Sequence, residues 1–299
     1  MIVDVEDAMM RLDKYLSDLD PDSSRASIQK RIASGNIRVN GKNVKDSYKV
    51  RPGDEIEMDP VEPVEMEILP EDIPLDILYE DNDLIVVNKP KGMVVHPCPG
   101  HYSHTLVNAL LWHCKGSLSG INGVMRPGIV HRIDMNTTGS LVVCKNDESH
   151  KSLALQLSTH SINRVYHAVA SGKFSAEEGT VCGNIGRSPK DRKKMAVLPT
   201  GGKPAVTHYK VLNTFSKYTY IQCRLETGRT HQIRVHMSHI GHPLLGDDVY
   251  GPSRCEFAGL QGQTLHAMTL GFNHPRTGEY MEFNAPLPAY FQKILDTLR

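Results

Sequence analysis

No stretch of the 299 residues approaches the run of about 18 apolar positions that a membrane helix requires. The first thirty positions mix Asp, Glu, Lys and Arg with short apolar pieces, which is unlike a secretory signal. Cysteine is sparse and scattered: Cys98, Cys114, Cys144, Cys182, Cys223 and Cys255 include no C-x-x-C pair. That removes the common zinc and dithiol motifs and points to free thiols in a reducing cytoplasm. The glycine pattern of a nucleotide-binding loop is missing, as are internal repeats and low-complexity tracts. Net charge is missing too, at +0, which taken alone argues against a nucleic-acid partner. What remains is an ordinary globular balance, 39% hydrophobic and 23% charged, in a chain long enough for two domains of roughly 150 residues each.

The distribution of charge changes the picture. Between Arg25 and Arg51, eight basic residues (Arg25, Lys30, Arg31, Arg38, Lys42, Lys45, Lys49, Arg51) meet one acid, Asp46. Between Asp54 and Asp83 there are many acids and no Lys or Arg. A basic module beside an acidic strip binds phosphate locally while the total cancels, and two solvated faces would give the same pattern.

Apolar spacing at Leu12, Tyr15, Leu16 and Leu19 predicts a short amphipathic helix. Ser23 and Ser24 are candidate N-caps for a second helix that runs through Ile28 to Ala33 and stops at Gly35. Strand-like pieces follow at Ile37–Asn40 and Glu55–Met58, with turns at Asn40-Gly41 and Arg51-Pro52-Gly53-Asp54. This is a small α/β unit over residues 9–60. Prolines 60, 63, 70 and 74 among acids mark a linker over residues 61–74. Residues 75–299 form the second domain. Strand signals dominate there, at Leu84–Val87, Met93–Val95, Ile129–Val130, Leu141–Cys144, Val165–Ala170, Ala205–Leu212 and Tyr218–Leu225. Helical stretches at Leu106–His113, Ser149–Thr159 and Thr230–Ile240 interrupt them. The expected class is α+β, with a large, mostly antiparallel sheet and flanking helices.

Three segments carry chemistry. In Gly128–Asp147, GIVHRIDMNTTGSLVVCKND, two apolar strands enclose a polar loop with Arg132 and Asp134. Such a layout holds a carboxylate at a sheet edge on rigid supports; a turn cap reaching Thr137 would use the same Asp134. Leu225–Gly251 ends a strand at Thr227-Gly228 and starts a helix near Thr230, with Arg229 just before it and His231 and Arg234 in its opening turns. Helix N-terminus and arginine together suit an anion, and a surface ion pair is the plainer use. Arg187–Lys194, RSPKDRKK, is a basic loop fit for RNA backbone or for solvent.

These segments together resemble a known family. Gly128–Asp147 is similar to the HRLD-x-x-T-[ST]-G signature of the RluA/RluD family of pseudouridine synthases, with Ile133 in place of its Leu and Met135-Asn136 in place of a common Lys-Asp pair. Asn88–Leu111, Arg164–Gly172, Lys203–Leu212, Leu225–Gly251 and Leu265–Pro288 fall in that family's order. The N-terminal segments MRLDKYL, SSRASIQKRI and GNIRVNGKNVKDSYKVRPGDEIEM resemble the S-four-like RNA-binding domain that several members carry, and the pair looks most like the RluD branch. The resemblance implies an isomerase that converts specific uridines to pseudouridine, with ribosomal RNA or a pre-ribosomal particle as partner. It further implies a pseudouridine synthase fold, no cofactor and no metal. The expected protein is cytoplasmic, monomeric and independent of membranes.

Residue by residue, the resemblance assigns Asp134 as the catalytic aspartate and Arg132 as the arginine that takes the place of a flipped uridine. Tyr166 corresponds to the active-site tyrosine that packs on the target ring. Arg229 corresponds to the basic residue that pairs with the aspartate. Arg25, Lys30 and Arg31, with Lys190, Arg192 and Lys193, are expected to contact RNA. Four rivals compete with this reading. His239–His242 spells the H-I-G-H string of class I aminoacyl-tRNA synthetases, but late in the chain and at a helix end. His96, Cys98, His101 and His104 tempt toward a metal, but their spacing is unlike zinc motifs. A non-catalytic RNA-binding assembly factor, or the same chemistry on transfer RNA, completes the alternatives.

Overall fold

A computed structural model describes residues 1–299 except 5–6, 21–24, 61–67, 99, 124–125, 192–193 and 254. The candidate caps Ser23 and Ser24, most of the expected linker, and Arg192 and Lys193 therefore lie outside the described residues. The chain divides into two compact units, Met1–Glu65 and Met66–Arg299.

In the first unit, α1 (Leu12–Leu19) and α2 (Arg25–Ala33) pack beside β1 (Ile37–Val39) and β2 (Ile56–Met58), which pair antiparallel with Val39 opposite Ile56. The apolar residues picked out by spacing, Leu12, Tyr15, Leu16, Ile28 and Ile32, form its core with Ile37, Val39, Val50 and Ile56. Asn40 and Gly41 both take positive φ in the two-residue turn between Val39 and Lys42, which the Asn-Gly pair favours. The unit begins before residue 9: Val3 is buried, and the Met1 amino group donates to the Ile56 carbonyl.

The second unit is built on a ten-stranded sheet. Its strands are β3 (Ile77–Glu80), β4 (Leu84–Lys89), β5 (Thr138–Cys144), β6 (Asn163–Ser171), β7 (Glu178–Arg187), β8 (Met195–Leu198), β9 (Lys203–Thr214), β10 (Tyr218–Leu225), β11 (Leu265–Asn273) and β12 (Tyr280–Asn284). The spatial order is β3-β4-β5-β11-β6-β10-β9-β7-β8, with β12 on β11, and every pairing is antiparallel except β5 with β11. Its helices are α3 (Leu106–Cys114), α4 (Asp147–Ser158), α5 (Gln232–His239) and α6 (Ala289–Leu298).

Both faces of the sheet are covered, as alternation along β4 shows. Ile85 and Val87 share a core with Leu106 and Leu110 of α3 and Ile233 and Met237 of α5. Leu84 and Val86 point the other way, toward Leu153 of α4. β5 is buried at all seven positions because it lies between those layers. Truncating Leu141 to Ala here would cost about 2–5 kcal/mol, the usual range for a core cavity.

Two expected strands do not form. Met93–Val95 runs into α3, where the carbonyls of Val94 and Val95 accept from the N–H groups of Leu106 and Val107. Those first-turn donors have no partner inside the helix, so the apolar run serves them instead of a ladder. Ile129–Val130 makes only a bridge, Ile129 with Val143. Part of the expected linker also belongs to the second unit: Ile68 is buried in its core, the Leu69 carbonyl accepts from Asn108 Nδ2, and Glu71 N–H donates to the Asn108 carbonyl.

Candidate active site

The loop from Gly128 to Thr137 is fastened at several points. His131 Nε2 accepts the Val142 N–H at 3.1 Å, so its ring is neutral, and burial holds its pKa down at about 3. Lys89, 1% exposed, donates from Nζ to the carbonyls of Pro90, Met93 and Met135 at 2.8, 2.8 and 3.0 Å. Burial pushes Lys89 down to about 7, with the charge of Asp134 pulling the other way. Gln263 Nε2 donates to Thr137 Oγ1 at 3.0 Å. His266 Nε2 must donate to the Ala285 carbonyl, which leaves Nδ1 to accept from Thr138 Oγ1 at 2.7 Å. Gly139 has φ +109°, and a Cβ there would enter the Ala267 backbone, so only glycine lets β5 approach β11 this closely.

Asp134 does close a turn, but through its carbonyl, which accepts the Thr137 N–H at 3.0 Å. Its carboxylate is free for another partner. That partner is Arg234, whose Nη1 lies 3.1 Å from Asp134 Oδ2. Sequence reasoning assigned this pairing to Arg229, and the structure corrects it. Arg229 Nε donates to the Pro204 carbonyl at 2.9 Å, and its backbone N–H donates to Gln232 Oε1. The buried Gln232 side chain also takes the Thr227 hydroxyl and donates to Val206 O and Thr207 Oγ1, so it fixes the loop before α5. Arg234 sits in the first turn of α5, in the same TGRTHQIR segment, where its side chain reaches the aspartate and the Arg229 side chain turns aside.

Arg234 is 5% exposed and carries a second carboxylate, Asp247, at 2.7 Å from Nε and 2.9 Å from Nη2. Burial disfavours its charge, but Asp247 first and then Asp134 outweigh that and raise its pKa. His231 precedes α5 with φ +57°, its Nε2 3.9 Å from Asp134 Oδ1 and its Nδ1 2.9 Å from the Tyr250 hydroxyl. Burial lowers the His231 pKa despite the pull of Asp134.

Asp134, His231 and Arg234 line one cleft of about 690 Å³, which also takes in Tyr166, Arg132, Arg164, Arg229 and Arg126. Burial raises the Tyr166 phenol, Arg164 counters this, and Asp134 adds to it. Exposed Arg132 touches His96 Nε2 through Nη1 at 3.3 Å. Burial, then Arg132 and Arg126, hold His96 down at about 4. Asp134, Tyr166, Arg132 and Arg229 are thus gathered at one site.

The other expected contacts lie elsewhere. Arg25 and Lys30 are exposed on α2, and Arg31 donates to the Asp59 carbonyl. Arg25 also pairs at 3.0 Å with Asp13, a fully buried carboxylate shared with Arg11 and Gln29, so it has a structural duty that the sequence did not disclose. Lys190 is exposed in the β7–β8 turn. The H-I-G-H string closes α5, where His242 donates from Nδ1 to Ser171 O and stacks on Phe174 at 4.0 Å between ring centroids. It serves packing. Among the described residues, Asp81, Asp83 and His274 are close enough to share an ion. Their carboxylate oxygens already accept from Tyr79, His274, Asn146, Arg276 and backbone N–H groups.

Fold and site define an RNA pseudouridylate synthase: the model of that family matches residues 83–239, and the chain belongs to it. An S4 domain matches residues 10–56. The chain is 53% identical over 97% of its length, and 94% of the relative's, to an RNA pseudouridine synthase of Bacillus subtilis, YlyB, whose name calls it uncharacterized. It is 48% identical, over 96% of its length and 93% of the relative's, to a protein of Zymomonas mobilis named ribosomal large subunit pseudouridine synthase D. Among solved structures, Human RNA Pseudouridylate Synthase Domain Containing 1 is similar with a TM-score of 0.59 and 25% identity, covering 80% of this chain and 98% of that one. The chain is therefore an enzyme with an RNA partner, which sets aside the non-catalytic factor. Among the described residues, no helix is long and apolar enough to cross a membrane.

Proposed function

We propose that this synthase isomerises uridines of large-subunit ribosomal RNA, with Asp134 as the catalytic carboxylate. The observation that carries the reading is a partly exposed aspartate in an arginine-lined cleft, one oxygen tied to Arg234 and the other, among the described residues, facing His231 at 3.9 Å as its ion-pair neighbour. The relatives named for the large ribosomal subunit, at 48% and 44% identity over nearly the whole chain, support the substrate class.

The reaction breaks the N1–C1′ bond, turns the uracil and joins C5 to C1′; the C5 proton leaves and N1 regains one, so product and substrate are isomers. Those atoms are hidden in stacked RNA, and extruding the base costs a few kcal/mol. Arg132, exposed at the cleft, fills the vacated place with a planar cation that stacks on bases. Tyr166 packs on the extruded ring. The Asp134 carboxylate attacks the ring or the sugar, or stabilises charge at C1′. Arg229 meets the RNA backbone at the rim. Arg25, Lys30 and Arg31, and the loop with Lys190, Arg192 and Lys193, hold the RNA by its phosphates.

Unmodified transcripts of large-subunit ribosomal RNA and of transfer RNA, incubated with the protein alone, separate the substrates. Nucleoside chromatography is expected to find pseudouridine in the ribosomal transcript. Product confined to transfer RNA would overturn the substrate assignment.

A further inference from the structure

The buried carboxylate of Asp247 has no place in the chemistry above, yet more bonds converge on it than on Asp134. Its Oδ2 accepts Arg234 Nε, and its Oδ1 accepts Arg234 Nη2 together with the backbone N–H groups of Val249 and Tyr250, both at 3.0 Å. It is 0% exposed on its side chain, and the Asp247 carbonyl receives the Gly251 N–H. A Cβ on Gly251 would sit 2.5 Å from that carbonyl oxygen, so the turn is built around this residue.

Two consequences meet at Asp134. First, Asp247 takes the Nε–Nη2 edge of the guanidinium in two parallel hydrogen bonds, which fixes the plane and heading of the group. So held, the guanidinium turns Nη1 toward Asp134 and bonds it through Oδ2 alone, at 3.1 Å. Second, the turn places the Tyr250 ring 5.2 Å from the Arg234 guanidinium carbon. The Tyr250 hydroxyl accepts the Met195 N–H at 2.9 Å and contacts His231 Nδ1, whose other nitrogen faces Asp134. Asp248 stands 4.0 Å from Arg234 but is 70% exposed and adds little.

We propose that Asp247 is a positioning residue for the isomerisation: by gripping the Nε–Nη2 edge it holds the Arg234 guanidinium in the orientation that meets Asp134 through Nη1 alone, and so keeps one oxygen of the catalytic carboxylate open to substrate. This rests on the reading of Asp134 as the catalytic group. Without Asp247, Arg234 is free to swing and close a fork on both oxygens of Asp134.

The test measures kcat and KM on an unmodified ribosomal RNA transcript, with thermal unfolding followed in parallel. Asp247→Asn is expected to lower kcat about 100-fold with KM within about threefold, the loss typical of a misplaced catalytic group. Asp247→Glu keeps the charge, and hence the buried pairing, but shifts the fork; it is expected to fold like the parent and lose at least about tenfold in kcat. On an Arg234→Gln background, where no fork remains to be aimed, Asp247→Asn is expected to change kcat less than about twofold, since coupled residues do not add. A folded Asp247→Asn or Asp247→Glu protein with kcat within threefold of the parent overturns the proposal, and so does full additivity with Arg234→Gln. If Asp247→Asn does not fold, Asp247→Glu decides. Turnover retained in Asp134→Asn would instead strike the reading of Asp134, which keeps the two failures distinct.

Discussion

Asp134 acquires its setting from residues that no local motif links to it. Its cationic neighbour is 100 positions away, and the lysine that holds the next carbonyl, Met135, is 46 away. Lys89 makes a prediction about pH. Its native pKa, near 7, lies below the ordinary lysine value, so between those limits the unfolded chain binds a proton that the native one does not. Stability drawn from this group therefore rises with pH above about 7 and is flat below it, where both states are protonated. Denaturant unfolding at pH 6.5 and pH 9 is expected to show that rise in the parent and not in Lys89→Met. Equal pH slopes would contradict the assignment. The signature loop pointed to Asp134 and Arg132 and the Arg164–Gly172 segment to Tyr166, through their family resemblance, and all three line the cleft. Choosing between Arg229 and Arg234 was not possible from spacing. That choice turns on Gln232, whose side-chain bonds to Thr227 and Arg229 N–H set the course of the chain into α5.

Among the elements, those with a clean period or a sharp stop were readable: α1, α3, α4, α5 and the strands β4, β5, β6, β9 and β10 all lie at or within a few residues of their expected places. β7, β8, β11 and β12 were not. β7 carries Gly179, Gly183 and Gly186, which interrupt its apolar alternation, and these glycines make room for Tyr209, Val197 and Leu198 of the neighbouring strands. The single parallel pairing, β5 with β11, joins segments about 128 residues apart, and nothing local records it. Gly139 is where that pairing is most exposed to substitution. Gly139→Ala forces a Cβ into the Ala267 backbone at φ +109° and is expected to destabilise the second unit by more than about 3 kcal/mol. Thermal unfolding should show a clear loss of Tm; an unchanged Tm would mean the two strands are not so close.

For the whole molecule, the neutral total conceals a basic stretch inside the first unit, Arg25–Arg51, where Lys30 and Arg31 stand on α2. Deleting residues up to about Glu62 is expected to weaken RNA affinity more than it harms the remainder, because each unit has its own core. Lys30→Ala with Arg31→Ala should flatten the dependence of log affinity on log salt by up to about one unit per lost phosphate contact. Aggregation of the truncated chain, or an unchanged salt slope, would argue against separate roles. Fold class and the presence of two modules could be read from the sequence because patterning and charge segregation are local properties. The boundary could not be placed by proline content alone, since Ile68 and Leu69, set among those prolines, are tied to the core and α3 of the second unit.

The measurement that bears most directly on all of this is turnover by Asp134→Asn on a ribosomal RNA transcript carrying tritium at uridine C5, where each isomerisation releases the label. The side chain keeps its size and can still face Arg234, so unfolding and RNA affinity should stay close to those of the parent. Tritium release is expected to fall to background. Release at a rate near the parent's would show that the carboxylate at position 134 does not perform the chemistry.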